Sequence, residues 1–161
     1  MSTTANRVDF RRLELRDLNA IEKIERASYR TPWSRSMFAG ELAKPSSISL
    51  GAFDPESSEL LGYLIISRYV DAWHVMNVAV APEHRRRKIA SMLLDQLFEL
   101  TAGEGRRGYT LEVRVSNDVA IRLYERAGFK PRGIRRGYYT DNREDALIMW
   151  RDPEPVRMAK S

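Results

Sequence analysis

The chain has 161 residues, of which 43% are hydrophobic and 30% are charged, and its net charge at pH 7 is +5. This length and apolar content predict one globular domain with a hydrophobic core, at residues 1–152, followed by a mobile tail at residues 153–161. Because the chain contains no cysteine, disulfides, thiolate metal sites and a cysteine-linked acyl-enzyme are excluded.

The apolar runs of the sequence are short. Each is the size of a strand, whereas a membrane span needs about 20 apolar residues. The first ten residues, "MSTTANRVDF", lack the apolar centre of a secretory signal. We therefore expect a cytoplasmic protein, and the basic balance favours an anionic partner without indicating which one.

The first half of the chain predicts a strand, two helices and three further strands. "VDFRRLEL" at 8–15 indicates the opening strand, and after Asp17 the apolar residues Leu18, Ile21 and Ile24 recur at helical spacing. Ser34 is a suitable N-cap for a second, short helix through Leu42. The three strands are predicted at "SISLGAF", "LLGYLIISRYV" and "WHVMNVAVAP".

The second half predicts two helices and three strands. One helix has an apolar face formed by Ile89, Leu93, Leu97 and Leu100, and the strand "YTLEVRV" follows it. The next helix is ended by Gly128 and has an apolar face formed by Ala120, Leu123, Tyr124 and Ala127. "FKPRGI" and "DALIMW" are the closing strands, so the predicted order is β-α-α-β-β-β-α-β-α-β-β, an α/β (α+β) fold.

A run of four cations, Arg85 to Lys88, lies between a strand and a helix. Strand, helix and strand of this length favour a right-handed crossover between parallel strands, and ligands bind at the carboxyl ends of such strands. The turn "PEHRRRKIA" therefore lies where a helix N-terminus attracts an anion. A solvated charge run and a nucleic-acid patch are the competing interpretations, and we favour a turn that binds phosphate.

Two other patterns are weaker. Gly103, Gly105 and Gly108 satisfy G-x-G-x-x-G, but they follow a helix and precede a strand, the reverse of a dinucleotide-binding motif, and so indicate a helix end and a loop. The two histidines, His74 and His84, lie in different contexts, and we expect no metal site.

Four blocks in this order resemble the GNAT acetyltransferase superfamily: "RTPWS", "NVAVAPEHRRRKIASMLL", "LEVRVSNDVAIRLYERAGF" and "IRRGYYTDNREDALIM". The resemblance extends from about Arg12 to Trp150. It is strongest to bacterial enzymes that acetylate the N-terminal alanine of a small-subunit ribosomal protein. It implies a mixed central sheet of about seven strands with flanking helices, and acetyl-CoA as co-substrate.

The resemblance also implies which residues bind acetyl-CoA. The family's turn R/Q-x-x-G-x-G/A falls on Arg85, Lys88 and Ala90, and Lys88 stands where glycine is usual. If that position needs a positive φ, lysine costs about 1–2 kcal/mol there. Asn117 either caps the next helix or bonds the pantetheine arm. The implied cofactor residues are Val78, Ala79, Val80, Arg85, Arg86, Arg87, Lys88, Ile89, Ala90, Ser91 and Asn117.

Two side chains are implied to transfer protons. Glu112 interrupts an apolar strand, and alternation alone would place it on the exposed face, but the resemblance implies a general base that takes a proton from the amine. Tyr124 shares a helix stripe with apolar residues and reads as a core aromatic. The resemblance implies instead the acid that protonates the departing thiolate.

Acceptor recognition is less specific. The resemblance places the loops around Trp33, Tyr138 and Tyr139 beside the N-terminal peptide of the acceptor, although each ring is equally suited to a half-buried core position. Protein lysines or a small-molecule amine are alternative acceptors. An RNA-binding module and a catalytically silent acetyl-CoA sensor are the alternatives from other classes. The sequence predicts no specific nucleic-acid binding and leaves the oligomeric state open.

Overall fold

The structure, a computed structural model, describes residues 7–156, so residues 157–161 of the predicted tail lie outside the described residues. Within this range it contains four α-helices: α1 (Leu18–Ser28), α2 (Arg35–Ala43), α3 (Ile89–Leu100) and α4 (Asp118–Arg126). The strands are β1 (Asp9–Arg12), β2 (Ser47–Phe53), β3 (Leu60–Tyr69), β4 (Ala72–Val80), β5 (Tyr109–Arg114), β6 (Lys130–Arg135) and β7 (Ala146–Arg151). None of the helices in the described range is long and apolar enough to cross a membrane.

The seven strands form one sheet in the order β1-β2-β3-β4-β5-β7-β6. Strands β1 and β2, β2 and β3, β5 and β7, and β6 and β7 are antiparallel. The β4–β5 pair is parallel, with Trp73 opposite Tyr109 and His74 opposite Thr110. Helix α3 connects these two strands, as predicted for a crossover. The predicted element order and the mixed sheet of seven strands are confirmed.

The opening strand is shorter than predicted. The pattern suggested residues 8–15, but β1 ends at Arg12 and a short 3-10 helix covers Leu15–Asp17. The Asp17 carboxylate accepts the Glu14 N–H at 2.8 Å and two guanidinium N–H bonds from Arg11 at 2.8 and 3.0 Å. These bonds turn the chain at Glu14, so alternation cannot continue.

The described chain divides into two compact units, and the first comprises residues up to Ser67 together with Met76–Asp95. Its core forms where α1 and α2 pack on strand residues, and Ser34 caps α2 as predicted by accepting the Met37 N–H at 3.3 Å. The buried cluster consists of Leu13, Leu18, Ile21, Ile24, Phe38, Phe53, Leu60, Tyr63, Ile65, Ala79 and Ala81.

The second unit comprises Arg68–Val75 together with the residues from Gln96 onward. Its core is aromatic, and the Arg151 guanidinium lies 3.7 Å from the centre of the Phe98 ring. Gly128, at φ +100°, ends α4, and the following N–H, of Phe129, bonds the Tyr124 carbonyl at 2.9 Å. Arg151 also donates to Glu154 at 3.0 Å, in the first part of the predicted tail. The domain boundaries predicted from composition stay a prediction.

The G-x-G-x-x-G pattern is a loop, as predicted. Helix α3 ends at Leu100 and β5 begins at Tyr109. The three glycines between them have φ of +84°, +70° and +88°. Glycine adopts this left-handed region without the steric cost that a Cβ brings. The pattern therefore serves the turn into β5.

Candidate active site

The basic turn leads directly into α3. Lys88, the residue before the helix, has a φ of +60°, and its carbonyl accepts the Met92 N–H at 3.1 Å. The first N–H groups of an α-helix have no acceptor within the helix. At α3 these belong to Ile89, Ala90 and Ser91, at the positive end of the helix dipole. The turn therefore has the donor set of an anion site, and the positive φ anticipated at Lys88 is present.

The cationic side chains of this turn differ in their contacts. The Arg85 guanidinium donates to the Val80 carbonyl and to the Ser28 hydroxyl, both at 3.3 Å. Nη1 of Arg87 lies 3.3 Å from Nδ1 of His84. Arg86 and Lys88 are exposed. Arg85 thus ties the turn to the end of β4 and to α1.

The end of β4 is held through its backbone. The Val78 carbonyl accepts a hydrogen bond from the Tyr29 hydroxyl, and the Val80 carbonyl accepts one from Arg85. On β3, a Cβ at Gly62 would lie 2.8 Å from the Ala79 carbonyl oxygen. Glycine at position 62 therefore permits the close approach of the two strands at the residues that the family resemblance assigns to cofactor binding.

A buried carboxylate fixes the loop that carries Trp33. Glu25 is 2% exposed, and its Oε2 accepts the Trp33 N–H at 2.9 Å. Its Oε1 accepts the Tyr63 hydroxyl at 2.5 Å and the Asn77 amide at 3.0 Å. Burial, together with the bond to Glu25, raises the pKa of Tyr63. Glu25 belongs to no motif of the sequence, although an acid beside the apolar Ile21–Ile24 stripe of α1 was a usable signal.

Trp33 itself lies against the core of the first unit. Its ring is half-buried, and its centre lies 5.2 Å from the centre of the Phe38 ring. Trp33 therefore occupies the half-buried core position to which its ring was equally suited. Its contact with the acceptor peptide stays a prediction.

Glu112, the predicted base, is half-buried on β5. Its side chain is 21% exposed, less than alternation alone suggested, and its Oε1 lies 3.9 Å from the nearest Arg135 guanidinium nitrogen. In the same unit, burial lowers the pKa of His74 against the opposing effect of the Glu112 carboxylate. The lowered pKa favours the neutral form of His74, and Arg135 is the cation that pairs with Glu112.

The two predicted acceptor tyrosines join the same group of side chains. The Arg135 guanidinium lies 5.6 Å from the centre of the Tyr138 ring, and the Tyr138 and Tyr139 rings meet edge to face at 5.1 Å. Arg114 stacks over Tyr139 at 4.0 Å. Because residues two apart in a strand point to the same side, Arg114 and Glu112 face the same way. The structure thus brings Glu112, Tyr138 and Tyr139 together through two arginines that the sequence analysis did not single out.

Tyr124 and Asn117 show their structural roles. Tyr124 is 8% exposed, and its ring packs edge to face against Phe129 with centres 5.7 Å apart. The Asn117 Oδ1 caps α4 by accepting the Ala120 N–H at 3.2 Å. These contacts fix where both residues are held. Proton donation by Tyr124 and pantetheine binding by Asn117 stay predictions.

One group of potential metal ligands occurs in the described residues, although no metal site is predicted from the two histidines. Oxygen and nitrogen atoms of Glu59, Glu83 and His84 lie within 4.8 Å of one another. The two glutamates are exposed, and Nε2 of His84 lies 3.5 Å from Glu59. Nδ1 of His84 faces Arg87, so one of its two ring nitrogens already has a partner within the protein.

Comparison with known proteins decides the family. The acetyltransferase (GNAT) family matches residues 18–129. The chain belongs to the GNAT family. The [ribosomal protein bS18]-alanine N-acetyltransferase of Escherichia coli K12 is 36% identical to it over 139 residues, which cover 85% of this chain and 92% of that protein.

Solved GNAT structures share the fold. The crystal structure of the ribosomal-protein-S18-alanine N-acetyltransferase from Escherichia coli has a TM-score of 0.78 and 34% identity, over 96% of this chain and 97% of that one. Arabidopsis thaliana NAA60 in complex with acetyl-CoA has a TM-score of 0.81 at 22% identity, over 91% of this chain and 99% of that one. The chain is thus a GNAT acetyltransferase, and the predicted family and fold are confirmed.

Proposed function

We propose that this enzyme transfers the acetyl group of acetyl-CoA to the α-amine of the N-terminal alanine of a small-subunit ribosomal protein. The observation that carries the proposal is the 36% identity to the Escherichia coli bS18-alanine N-acetyltransferase over 92% of that protein. Since such an acceptor is made in the cytoplasm, the reaction belongs there.

Acetyl-CoA supplies the thioester, and the turn before α3 supplies the anion site. The N–H groups of Ile89, Ala90 and Ser91 and the Arg86 and Lys88 side chains bind the pyrophosphate. Arg85 and Arg87 belong to the same cofactor-binding turn, and Arg85 also bonds the Val80 carbonyl and Ser28. The main chain of Val78, Ala79 and Val80, with Asn117, binds the pantetheine arm.

Two side chains move the protons. Glu112 takes a proton from the acceptor amine, whose reference pKa of about 8 means that a minority is already neutral at pH 7. The amine nitrogen then bonds to the acetyl carbon, and the Val80 N–H stabilises the oxyanion. As the carbon–sulfur bond breaks, Tyr124 protonates the thiolate, and the extra proton of the new amide nitrogen passes through solvent and restores the Tyr124 hydroxyl. Acetyl transfer is direct, in a ternary complex.

Tyr138, Tyr139 and Trp33 are the proposed contacts to the acceptor peptide. Burial raises the pKa of Tyr139 to about 12, so its hydroxyl is neutral at physiological pH and is able to bond a peptide carbonyl. Tyr138 is 42% exposed, which leaves its ring available to an apolar side chain.

The test compares three acceptors at saturating acetyl-CoA. The acceptors are a peptide with a free N-terminal alanine, spermidine, and a lysine peptide blocked at its N-terminus. We expect kcat/KM for the alanine peptide to be at least about 100-fold higher than for either of the other two. A higher kcat/KM for spermidine or for the blocked lysine peptide would contradict the proposed alanine acceptor.

A further inference from the structure

The loop between β6 and β7, residues 136–145, is held to β5 by one arginine. Arg114 donates to the Asp141 carboxylate at 2.8 Å, to the Asn142 side chain at 3.1 Å and to the Glu144 carboxylate at 3.3 Å. The side chains of Arg114, Asp141 and Glu144 are only 27%, 19% and 15% exposed. An isolated pair at the surface contributes little, whereas this guanidinium joins three separate acceptors while largely shielded from water.

The same guanidinium also covers a proposed acceptor contact. It lies 4.0 Å from the centre of the Tyr139 ring, and the Tyr139 N–H bonds the Glu144 carbonyl at 3.1 Å. Tyr139 is therefore fixed at its ring by Arg114 and at its backbone by a residue that Arg114 also holds. A planar guanidinium can stack on a ring and bond several acceptors at once, which an ammonium cannot do in the same way.

The far end of the loop is fixed to the residues that follow β5. Oε2 of Glu144 accepts the Ser116 N–H at 2.9 Å, and the Asp145 carbonyl accepts the Val115 N–H at 3.2 Å. Within the loop, the Gly137 N–H bonds the Asp145 carboxylate at 2.8 Å. The loop thus depends on Arg114 near its middle and on Glu144 and Asp145 near its end.

We propose that Arg114 is a positioning residue for the acceptor: its guanidinium fixes the 136–145 loop so that Tyr139 stays on the side of β5 that carries Glu112. The inference rests on the proposed function, because it assigns Arg114 a role in acceptor binding. Arg114 does not itself take part in proton transfer. Its loss acts through Tyr139 and therefore on the peptide rather than on acetyl-CoA.

The experiment compares Arg114→Met and Arg114→Lys with Arg11→Met as a matched control. Arg11 is also bonded twice to a carboxylate, that of Asp17, and stacks 3.9 Å from a ring, that of Phe53, but it lies on β1, which carries none of the proposed site residues. We expect Arg114→Met to raise KM for an alanine peptide by about tenfold, equivalent to about 1.4 kcal/mol, with KM for acetyl-CoA within about twofold. Arg114→Lys should raise KM for the alanine peptide by less than Arg114→Met does. Arg11→Met should leave KM for the alanine peptide and KM for acetyl-CoA unchanged.

Amide exchange by mass spectrometry supplies a readout that needs no acceptor. In Arg114→Met the segment containing Tyr139 and Glu144 should exchange faster, while segments of β1 and α1 keep their rates. If Arg114→Met does not fold, Glu144→Gln, which weakens the same contacts, replaces it in both measurements.

The outcomes separate the inference from the proposed function. An unchanged peptide KM in a folded Arg114→Met would overturn the positioning role, as would an equal rise of KM for peptide and acetyl-CoA. If the wild-type enzyme does not acetylate the alanine peptide, the proposed function fails, and amide exchange still decides whether Arg114 fixes the loop. Unchanged exchange in the 136–145 segment would then overturn the inference on its own.

Discussion

Glu112 is the side chain on which the proposed proton transfer from the amine depends, and Arg135 is its ion-pair partner. The family motif in "LEVRV" indicated Glu112, but its half-buried position and the guanidinium 3.9 Å away appear only in the fold. Arg135 lies 23 positions later in the chain, on β6, so no local spacing brings it to Glu112. Sequence reasoning was thus able to identify the base but not the side chains around it.

Glu112→Gln tests the base directly. The substitution keeps the side-chain shape, and we expect kcat/KM for the alanine peptide to fall by about 10²–10⁴-fold near pH 7. The deficit should shrink as pH rises past about 8, because the amine then deprotonates without help. Rates measured from pH 6.5 to 9.5 decide the matter, since an equal deficit at every pH would indicate that only the Arg135 pair was lost.

Tyr124→Phe separates packing from chemistry. The ring that packs against Phe129 is retained, so the melting temperature and acetyl-CoA binding should change little. Loss of the hydroxyl should slow kcat by about 10–1000-fold if it protonates the thiolate. Calorimetry and steady-state rates measure the two effects, and a near-normal kcat would leave Tyr124 with its core role alone.

At the scale of elements, the order of helices and strands followed from apolar spacing, and their ends followed from individual caps. Ser34 and Gly128 marked the ends where the structure has them, because each supplies a local bond or backbone conformation. The predicted end of β1 was wrong. Arg11 bonds Asp17, six residues later, and this contact turns the chain although the apolar and polar residues still alternate as in a strand. Local pattern thus predicts an element better than it predicts where side-chain bonds interrupt it.

Lys88 provides the prediction at this scale. Its φ of +60° costs a lysine about 1 kcal/mol, so Lys88→Gly should raise the melting temperature by about 2–4 °C. Lys88→Ala is the matched control, because it removes the ammonium and keeps the strain. Both should raise KM for acetyl-CoA by a similar factor. If Lys88→Gly were less stable than Lys88→Ala, the backbone strain at position 88 would be contradicted. If either variant had a lowered KM for acetyl-CoA, the proposed contact of the Lys88 ammonium with the cofactor would be contradicted.

At the scale of the whole molecule, each unit contains side-chain hydrogen bonds or ion pairs between residues distant in sequence. The Arg114 contacts span 27 to 30 positions, and Glu25 bonds Asn77 across 52. Composition predicted a hydrophobic core, and the motifs predicted the family. Neither composition nor motifs predicted which polar side chains bond each other, because each such pair depends on where two distant segments of the chain meet.

The dependence of stability on acid follows from Glu144 and His74, whose pKa values are both lowered in the folded protein. Hydrogen bonds to Ser116 and to Arg114 lower the pKa of Glu144 from 4.5 to about 2, and burial lowers that of His74 from 6.5. The folded state therefore binds protons less readily than the unfolded chain at both groups, so stability falls as pH drops below 6.5 and again between about 4.5 and 2. Urea titrations from pH 7 to 3 should show this. Glu144→Gln should flatten the lower step, and an unchanged acid slope would contradict its role.

The central claim is acetyl transfer to a free N-terminal alanine. The most direct measurement incubates the enzyme and acetyl-CoA with a peptide that begins with alanine and contains an internal lysine, and locates the added acetyl group by fragmentation in a mass spectrometer. We predict a single acetyl group on the α-amine, and no product from the same peptide blocked at its N-terminus. Acetylation of the internal lysine, at equal rates in the free and the blocked peptide, would contradict the claim.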